Sequence, residues 1–146
     1  MTETRGRVLG LDFGAKTVGV AVCDPMRLTV RSLEIIRRKD ESHLRPTLRR
    51  IVELAAEYDV RELVLGLPLN MDGSAGPRAE LTLSFRDMLQ QRLDLPVHMQ
   101  DERLTSVEAE ERMTEAGIRQ KHFKDYVDQV AAAIILQDWL NEHGND

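Results

Sequence analysis

An acidic residue within an apolar run constrains this sequence more than any other feature. Two apolar, β-branched runs, residues 8–13 and 17–22, flank a Gly-Ala-Lys turn and predict a β-hairpin. Asp12 lies near the end of the first run, with Leu11 before it and Phe13 after it. Nearby glycines remove side-chain bulk, as is common where a ligand approaches a strand closely. We therefore interpret Asp12 as a functional carboxylate rather than a solvent-facing charge.

The rest of the chain predicts a strand meander followed by alternating helices and strands. Residues 28–38 continue the hairpin as a third strand, which favours an antiparallel meander. Helical spacing of apolar residues then predicts a helix over 42–58, followed by a strand over 61–67, a helix from the 68–77 loop to about 93 and a strand over 96–100. The order predicts an α/β fold, with a five-stranded mixed sheet, helices on both faces and a single domain over residues 1–146.

Two more helices are predicted after the fifth strand. A capping box at residues 105–108 starts the first of them, and Gly117 is its expected end. The last helix is predicted over 126–140, with Asp125 as its N-cap.

Composition limits the classes of function. A 146-residue chain with 42% hydrophobic and 31% charged residues is typical of a soluble globular protein, and no apolar run approaches the ~20 residues of a membrane helix. Cys23 is the only cysteine, which excludes an internal disulfide and favours the cytoplasm. The net charge of −5 does not indicate a nucleic-acid-binding protein, but basic clusters at 37–39, 45–50 and 119–124 could line a groove.

Later acids could join Asp12 at the carboxyl ends of the strands, where ligands collect in such sheets. Asp101 and Glu102 both end the fifth strand, and side-chain alternation leaves open which of the two points inward. Asp128 falls in the first turn of the predicted last helix, on the stripe that includes Ala132. An acid on a buried stripe is costly without a partner, so we interpret Asp128 as the third member of a carboxylate site.

Converging carboxylates predict a site for Mg²⁺ or Mn²⁺, since these hard cations prefer oxygen ligands. Such ions lower the pKa of bound water and neutralise charge on a phosphodiester. The four histidines are scattered and give no zinc spacing. Candidate contacts to nucleic acid are Lys16 and Thr17 in the hairpin turn, Asn70 in the 68–77 loop, and Arg103.

Four blocks of the sequence carry a resemblance to a known family. They read GLDFGAKTVGVA (10–21), VLGLPLNMDG (64–73), DERLTSVEA (101–109) and VDQVAAAIILQ (127–137). Together they resemble the signature blocks of the YqgF family, Holliday-junction-resolvase-like proteins regarded as pre-16S rRNA nucleases. The resemblance implies an RNase H-like fold, a cytoplasmic location and metal-dependent phosphodiester hydrolysis in maturation of the 5′ end of 16S rRNA.

The resemblance also implies Asp12, Glu102 and Asp128 as the acidic site residues. The related RuvC resolvases carry a catalytic glutamate on the fourth strand, whereas here that strand reads Leu-Gly-Leu-Pro. This difference weakens the transfer of junction-resolving activity and shifts the second acid to Glu102.

The leading hypothesis is a metal-dependent endonuclease acting on structured RNA, either pre-16S rRNA or a ribosomal precursor particle. A resolvase of branched DNA and a non-catalytic RNA-binding assembly factor are the alternatives. A lobe of an actin-type ATPase is disfavoured, because those enzymes close two lobes around the nucleotide and this chain has room for one. The sequence leaves the oligomeric state open.

Overall fold

A mixed β-sheet forms the centre of the molecule. The computed structural model describes residues 5–102 and 111–143, and within them the sheet has five strands in the order β3-β2-β1-β4-β5. The strands are β1 (Arg7–Phe13), β2 (Thr17–Cys23), β3 (Val30–Arg37), β4 (Val60–Leu67) and β5 (Val97–Asp101). The helices are α1 (Arg45–Glu57), α2 (Pro77–Arg92), α3 (helical over 111–115 of the described chain) and α4 (Phe123–His143).

Strand pairing confirms the predicted meander. β1 pairs with β2 and β2 with β3 in antiparallel register, and β1 pairs with β4 and β4 with β5 in parallel register. Asp12 lies opposite Gly19 on β2, so no cross-strand side chain covers its carboxylate. The carboxyl ends of the three parallel strands therefore meet at one edge of the sheet.

Each face of the sheet has its own apolar core, and this confirms helices on both faces. Because side chains alternate along a strand, Leu9 and Leu11 pack with α1 and α2, whereas Val8 packs with α4. Gly10 and Asp12 lie two and four residues after Val8, so they belong to the same face of the sheet, the one that α4 covers. Cys23 is buried on the same face, as expected for a small hydrophobe, and burial raises the pKa of its thiol.

Two helix starts differ from prediction. α1 begins at Arg45 rather than at residue 42, because Ser42 is held in a turn by the side chain of Asp40. α4 begins at Phe123, directly after a 3₁₀ turn over Gln120–His122. Asp125 is therefore inside the helix and not its N-cap, and Asp128 lies in the second turn rather than the first. A 3₁₀ turn that leads straight into a helix moves its start toward the N-terminus.

Gly117 ends α3 as predicted. Its φ is +75°, and the backbone N–H groups of Gly117 and Ile118 donate to the carbonyls of Thr114 and Met113. These are the two hydrogen bonds of a Schellman motif. The predicted capping box at 105–108 lies outside the described residues. In the described part of the chain, no helix has the length and apolarity needed to cross a membrane.

Candidate carboxylate site

The parallel strands bring two of the predicted acids together. β1 and β5 flank β4, and all three run toward the same edge. Asp12 is the penultimate residue of β1, and Glu102 directly follows β5. The backbone N–H of Glu102 donates to the carbonyl of Leu67 at 3.1 Å, which continues the ladder one residue beyond the strand. Residues 90 positions apart in the sequence thus share one sheet edge.

Glu102 and Asp101 belong to opposite faces of the sheet. Val97 and Met99 pack against the α1 and α2 core, whereas His98 stacks on the tryptophan of α4 with ring centroids 5.0 Å apart. Because sides alternate, Glu102 belongs with His98 on the α4 face, and this is also the face of Asp12. Asp101 is exposed and has the opposite parity.

Asp12 and Glu102 interact directly. Burial, the charge of Asp12 and a hydrogen bond between the two carboxyl groups together raise the pKa of Glu102 to about 9, burial being the largest cause. The positive charge of Arg78 acts in the opposite direction. When two carboxyl groups share a site, ionising both costs free energy unless a cation offsets their repulsion. At neutral pH this pair therefore holds a proton or requires a positive ligand.

Gly66 makes room for the Glu102 carboxyl group. A Cβ at position 66 would lie 2.9 Å from the carboxyl carbon and Oε2 of Glu102, and 2.5 Å from Cδ1 of Ile135. No side chain can enter that space without displacing its neighbours. The glycine in Leu-Gly-Leu-Pro is thus explained: a carboxyl group arriving from the end of β5 occupies the position above β4.

Arg78 is a site residue that the sequence analysis did not identify. It is the second residue of α2, and its Nη2 donates to the carbonyl of Phe13 at 3.0 Å while Nη1 donates to Glu41 at 2.8 Å. It thereby holds the backbone immediately after Asp12. The only sequence signal was its place at the start of a helix that follows a strand, where side chains face the strand edge.

The third predicted acid is described only by its backbone. Asp128 lies one helical turn before Ala132, and the Ala132 carbonyl would be 2.9 Å from a Cβ on Gly10. α4 therefore lies against the middle of β1, two residues before Asp12. The Asp128 side chain lies outside the described residues.

The donor set fits a hard divalent cation. Asp12 and Glu102 provide carboxylate oxygens at one half-buried point, and a cation would relieve the mutual repulsion that, after burial, raises the Glu102 pKa. Among the side chains that the structure describes, no His, Cys, Asp or Glu residues form a group of three that could hold a metal. The described site is therefore a pair.

The predicted nucleic-acid contacts are dispersed. Lys16 is exposed in the hairpin turn just beyond Asp12, and the carbonyl of Thr17 accepts from the Gly14 N–H at 2.7 Å. Asn70 is exposed, and its side chain donates to Ser74 within the same loop at 3.0 Å. Arg103 lies outside the described residues. The structure thus places Lys16 and Thr17 near the pair and leaves Asn70 engaged in its own loop.

Known proteins are similar to this chain along most of its length. A family model described as "RuvX: Holliday junction resolvase" matches residues 6–142. A protein of Agathobacter rectalis named "Putative pre-16S rRNA nuclease" is 52% identical over 95% of this chain and 97% of its own length. A protein of the same name from Lachnospira eligens is 46% identical, over 92% of this chain and 96% of its own length.

Solved structures resemble the fold. Thermus thermophilus RuvC matches with a TM-score of 0.57 at 14% identity, covering 94% of this chain and 96% of that one. RuvC in complex with a Holliday junction substrate matches with a TM-score of 0.53 at 13% identity, over 92% and 96% of the two chains. At this identity the likeness concerns the fold, and it confirms the RNase H-like architecture.

Proposed function

The chain belongs to the RuvX family of Holliday junction resolvases, and from this premise we propose that it is a metal-dependent endonuclease that hydrolyses phosphodiester bonds in structured RNA. Family membership also confirms the resemblance to the YqgF blocks. The observation that carries the proposal is the contact between Asp12 and Glu102 at the carboxyl edge of the sheet. Paired carboxylates at a strand edge are suited to phosphoryl chemistry when a divalent ion is present.

Asp12 and Glu102 would hold the metal, and Asp128 is proposed as the third ligand from its position on α4. Mg²⁺ or Mn²⁺ fits this set because all the donors are carboxylate oxygens. When bound, such an ion lowers the pKa of water and neutralises phosphodiester charge. Arg78 fixes the backbone after Asp12 and contributes positive charge beside Glu102. Lys16, Thr17, Asn70 and Arg103 are proposed as contacts to the nucleic acid.

The proposed substrate is the 5′ region of pre-16S rRNA, free or within a ribosomal precursor particle in the cytoplasm. The names of the relatives from A. rectalis and L. eligens support this substrate. Resolution of branched DNA is the second candidate, and the family description favours it. In either case residues 1–146 are proposed to act as one nuclease domain.

The test is cleavage of a pre-16S rRNA fragment and of a four-way DNA junction by the same preparation in Mg²⁺ or Mn²⁺. Asp12→Asn and Glu102→Gln are expected to lower the cleavage rate by about 10²–10⁴-fold, because each removes a carboxylate charge from the site. Asp101→Asn is the matched control, since it alters the adjacent acid on the opposite face, and it should retain wild-type cleavage.

The outcomes separate the candidates. Faster cleavage of the RNA supports rRNA maturation, and preference for the junction supports the resolvase alternative. RNA binding with no cleavage in either metal would identify a non-catalytic assembly factor and overturn the enzyme proposal. Unchanged cleavage by Asp12→Asn would refute the assignment of the site.

A further inference from the structure

A second feature of the same sheet edge is a basic pocket. It has a volume of about 600 Å³ and is lined by Arg37, Arg38, Lys39, His43 and Pro46. These residues run from the end of β3 to the first turn of α1. Three consecutive cationic residues in one pocket wall give it a strongly positive lining, and cavities of this volume hold ligands of nucleotide size.

The acids of the adjoining loop are engaged by local partners. Asp40 accepts hydrogen bonds from the backbone N–H and hydroxyl of Ser42 and contacts His43 Nδ1, and the two bonds from Ser42 are the main reason that its pKa falls to about 2. Glu41 is paired with Arg78 at 2.8 Å. Each of these carboxylates therefore has a close partner outside residues 37–39.

Backbone carbonyls and an aromatic ring hold the guanidinium of Arg38 in place. Its Nη2 donates to the carbonyls of Gly14 and Ala15, each at 2.7 Å, and its Cζ lies 5.0 Å from the centroid of the Phe13 ring. Within the described part of the chain, its Nε and Nη1 are buried and make no hydrogen bond. Burial and the neighbouring Arg78 lower the pKa of Arg38, and the charges of Glu41 and Asp40 offset this only in part, so a bound anion would reduce the remaining cost.

The pocket and the carboxylate pair adjoin the same turn. Arg38 contacts the carbonyls at positions 14 and 15, and the Arg38 N–H donates to the carbonyl of Lys16 at 2.9 Å. Asp12 precedes this turn by two residues. A polynucleotide strand that crosses the sheet edge at the turn would meet the acids on one face and the cations on the other.

We propose that the pocket lined by Arg37, Arg38, Lys39, His43 and Pro46 binds a phosphodiester group of the polynucleotide strand, one or more nucleotides away from the bond cleaved at Asp12 and Glu102. This inference rests on the proposed function, because it takes the bound strand to be the nuclease substrate. Arg37 and Lys39 are exposed and supply the principal charges. A free phosphate ion shares the same recognition chemistry.

The experiment compares RNA binding by two double variants of the full chain. Arg37→Ala/Lys39→Ala removes two pocket charges, and Arg61→Ala/Arg92→Ala removes two exposed charges elsewhere on the surface. Fluorescence anisotropy of a labelled pre-16S rRNA fragment in EDTA, from 50 to 400 mM salt, gives the slope of log K against log salt. The slope is negative, and the loss of two phosphate contacts makes it less steep by about 1.4. Binding at 0.1 M salt is then about 25-fold weaker. The control should retain the wild-type slope.

Equal slopes for the pocket variant and the control would overturn the proposal, whatever the cleavage results. If wild type cleaves RNA and only the slope test fails, the proposed function stands and the pocket assignment falls. If the pocket variant loses binding as expected but wild type cleaves no RNA, the pocket is a phosphate-binding site for RNA, and both the proposed function and the link between the pocket and a cleaved bond fall. A calorimetric titration with inorganic phosphate alone separates the sources: saturation below 1 mM with an unchanged RNA slope would assign the pocket to the free ion.

Discussion

At the scale of single residues, the Asp12–Glu102 pair is the most unusual electrostatic feature among the described residues. Most carboxyl groups that the fold perturbs become easier to ionise, as at Asp24, where the hydrogen bond from the Thr29 N–H is the main cause of a lowered pKa. Glu102 behaves in the opposite way, because burial and a neighbouring acid both disfavour its charge. The fold therefore gives up stability at this position, as is common at functional sites.

The pKa of Glu102 predicts how stability depends on pH in metal-free protein. The unfolded chain loses this proton near its ordinary pKa of 4.5, and the folded protein retains it up to about 9. Between these values the folded state binds more protons, so stability falls as pH rises, by up to about 1.4 kcal/mol per pH unit for one group. Thermal unfolding in EDTA from pH 5 to 9 measures this. Glu102→Gln should flatten the decline and Asp101→Asn should not. Parallel curves for wild type and Glu102→Gln would contradict the assignment.

At the scale of elements, α4 lies close against β1 and β4. Gly10 and Gly66 both lie under α4, and a Cβ on Gly10 would be 2.7 Å from Cβ of Leu136. Small residues on β1 and β4 let the helix backbone descend toward the strands. Asp128 lies one helical turn before Ala132 on this helix.

Gly10→Ala should therefore destabilise the protein by about 1–3 kcal/mol, because the neighbouring contacts include the backbone carbonyl of Ala132, which cannot move aside as a side chain does. Urea denaturation measures the loss. Gly76→Ala is the control, since its nearest atoms, on the Asn70 side chain, are at 3.4 Å and make ordinary contact. A Gly10→Ala variant as stable as wild type would show that α4 is free to shift outward.

At the scale of the whole molecule, charge is arranged differently at the two ends of the sheet. At the end opposite the site, the carboxylate of Glu62 on β4 has two basic partners. Its Oε2 lies 2.7 Å from Arg27 Nη2, and its Oε1 lies 2.8 Å from His98 Nε2. Burial alone would raise the pKa of Glu62, but hydrogen bonds from His98 and Arg27 lower it. This cluster links the turn between β2 and β3 to β4 and β5. At one end the carboxylate of Glu62 thus meets two basic side chains, whereas at the other Asp12 and Glu102 meet each other.

Glu62→Gln is expected to cost about 1–3 kcal/mol, because it leaves Arg27, whose side chain is 9% exposed, without its counter-ion. Cleavage activity should not change at temperatures where the variant is folded, since the cluster is remote from the site. Glu34→Gln, which breaks the more exposed pair with Arg50, should cost less than about 1 kcal/mol. Calorimetric melting of both variants tests the difference, and equal losses would argue against a structural role for the Glu62 cluster.

The amino-acid sequence by itself determined the elements and their order. The sequence carries these elements as local patterns: the apolar runs at 8–13 and 17–22, the helical spacing over 42–58 and the glycine at 117. Local patterns are set by backbone geometry and by which side chains must leave water. Asp12 could be identified in this way because an acid inside an apolar run is a local anomaly. The start of α4 was wrong because Asp125 resembles a cap, whereas the 3₁₀ turn before the helix carries no comparable signal.

Only the tertiary structure decided how the site is assembled. Alternation on β5 could not choose between Asp101 and Glu102, because the sheet has an apolar core on each face and parity alone does not say which face carries Asp12. Arg78 and the space above Gly66 depend on contacts between residues far apart in the sequence. Such contacts follow from strand order and helix packing, which the whole chain settles together, and no short stretch of residues records them.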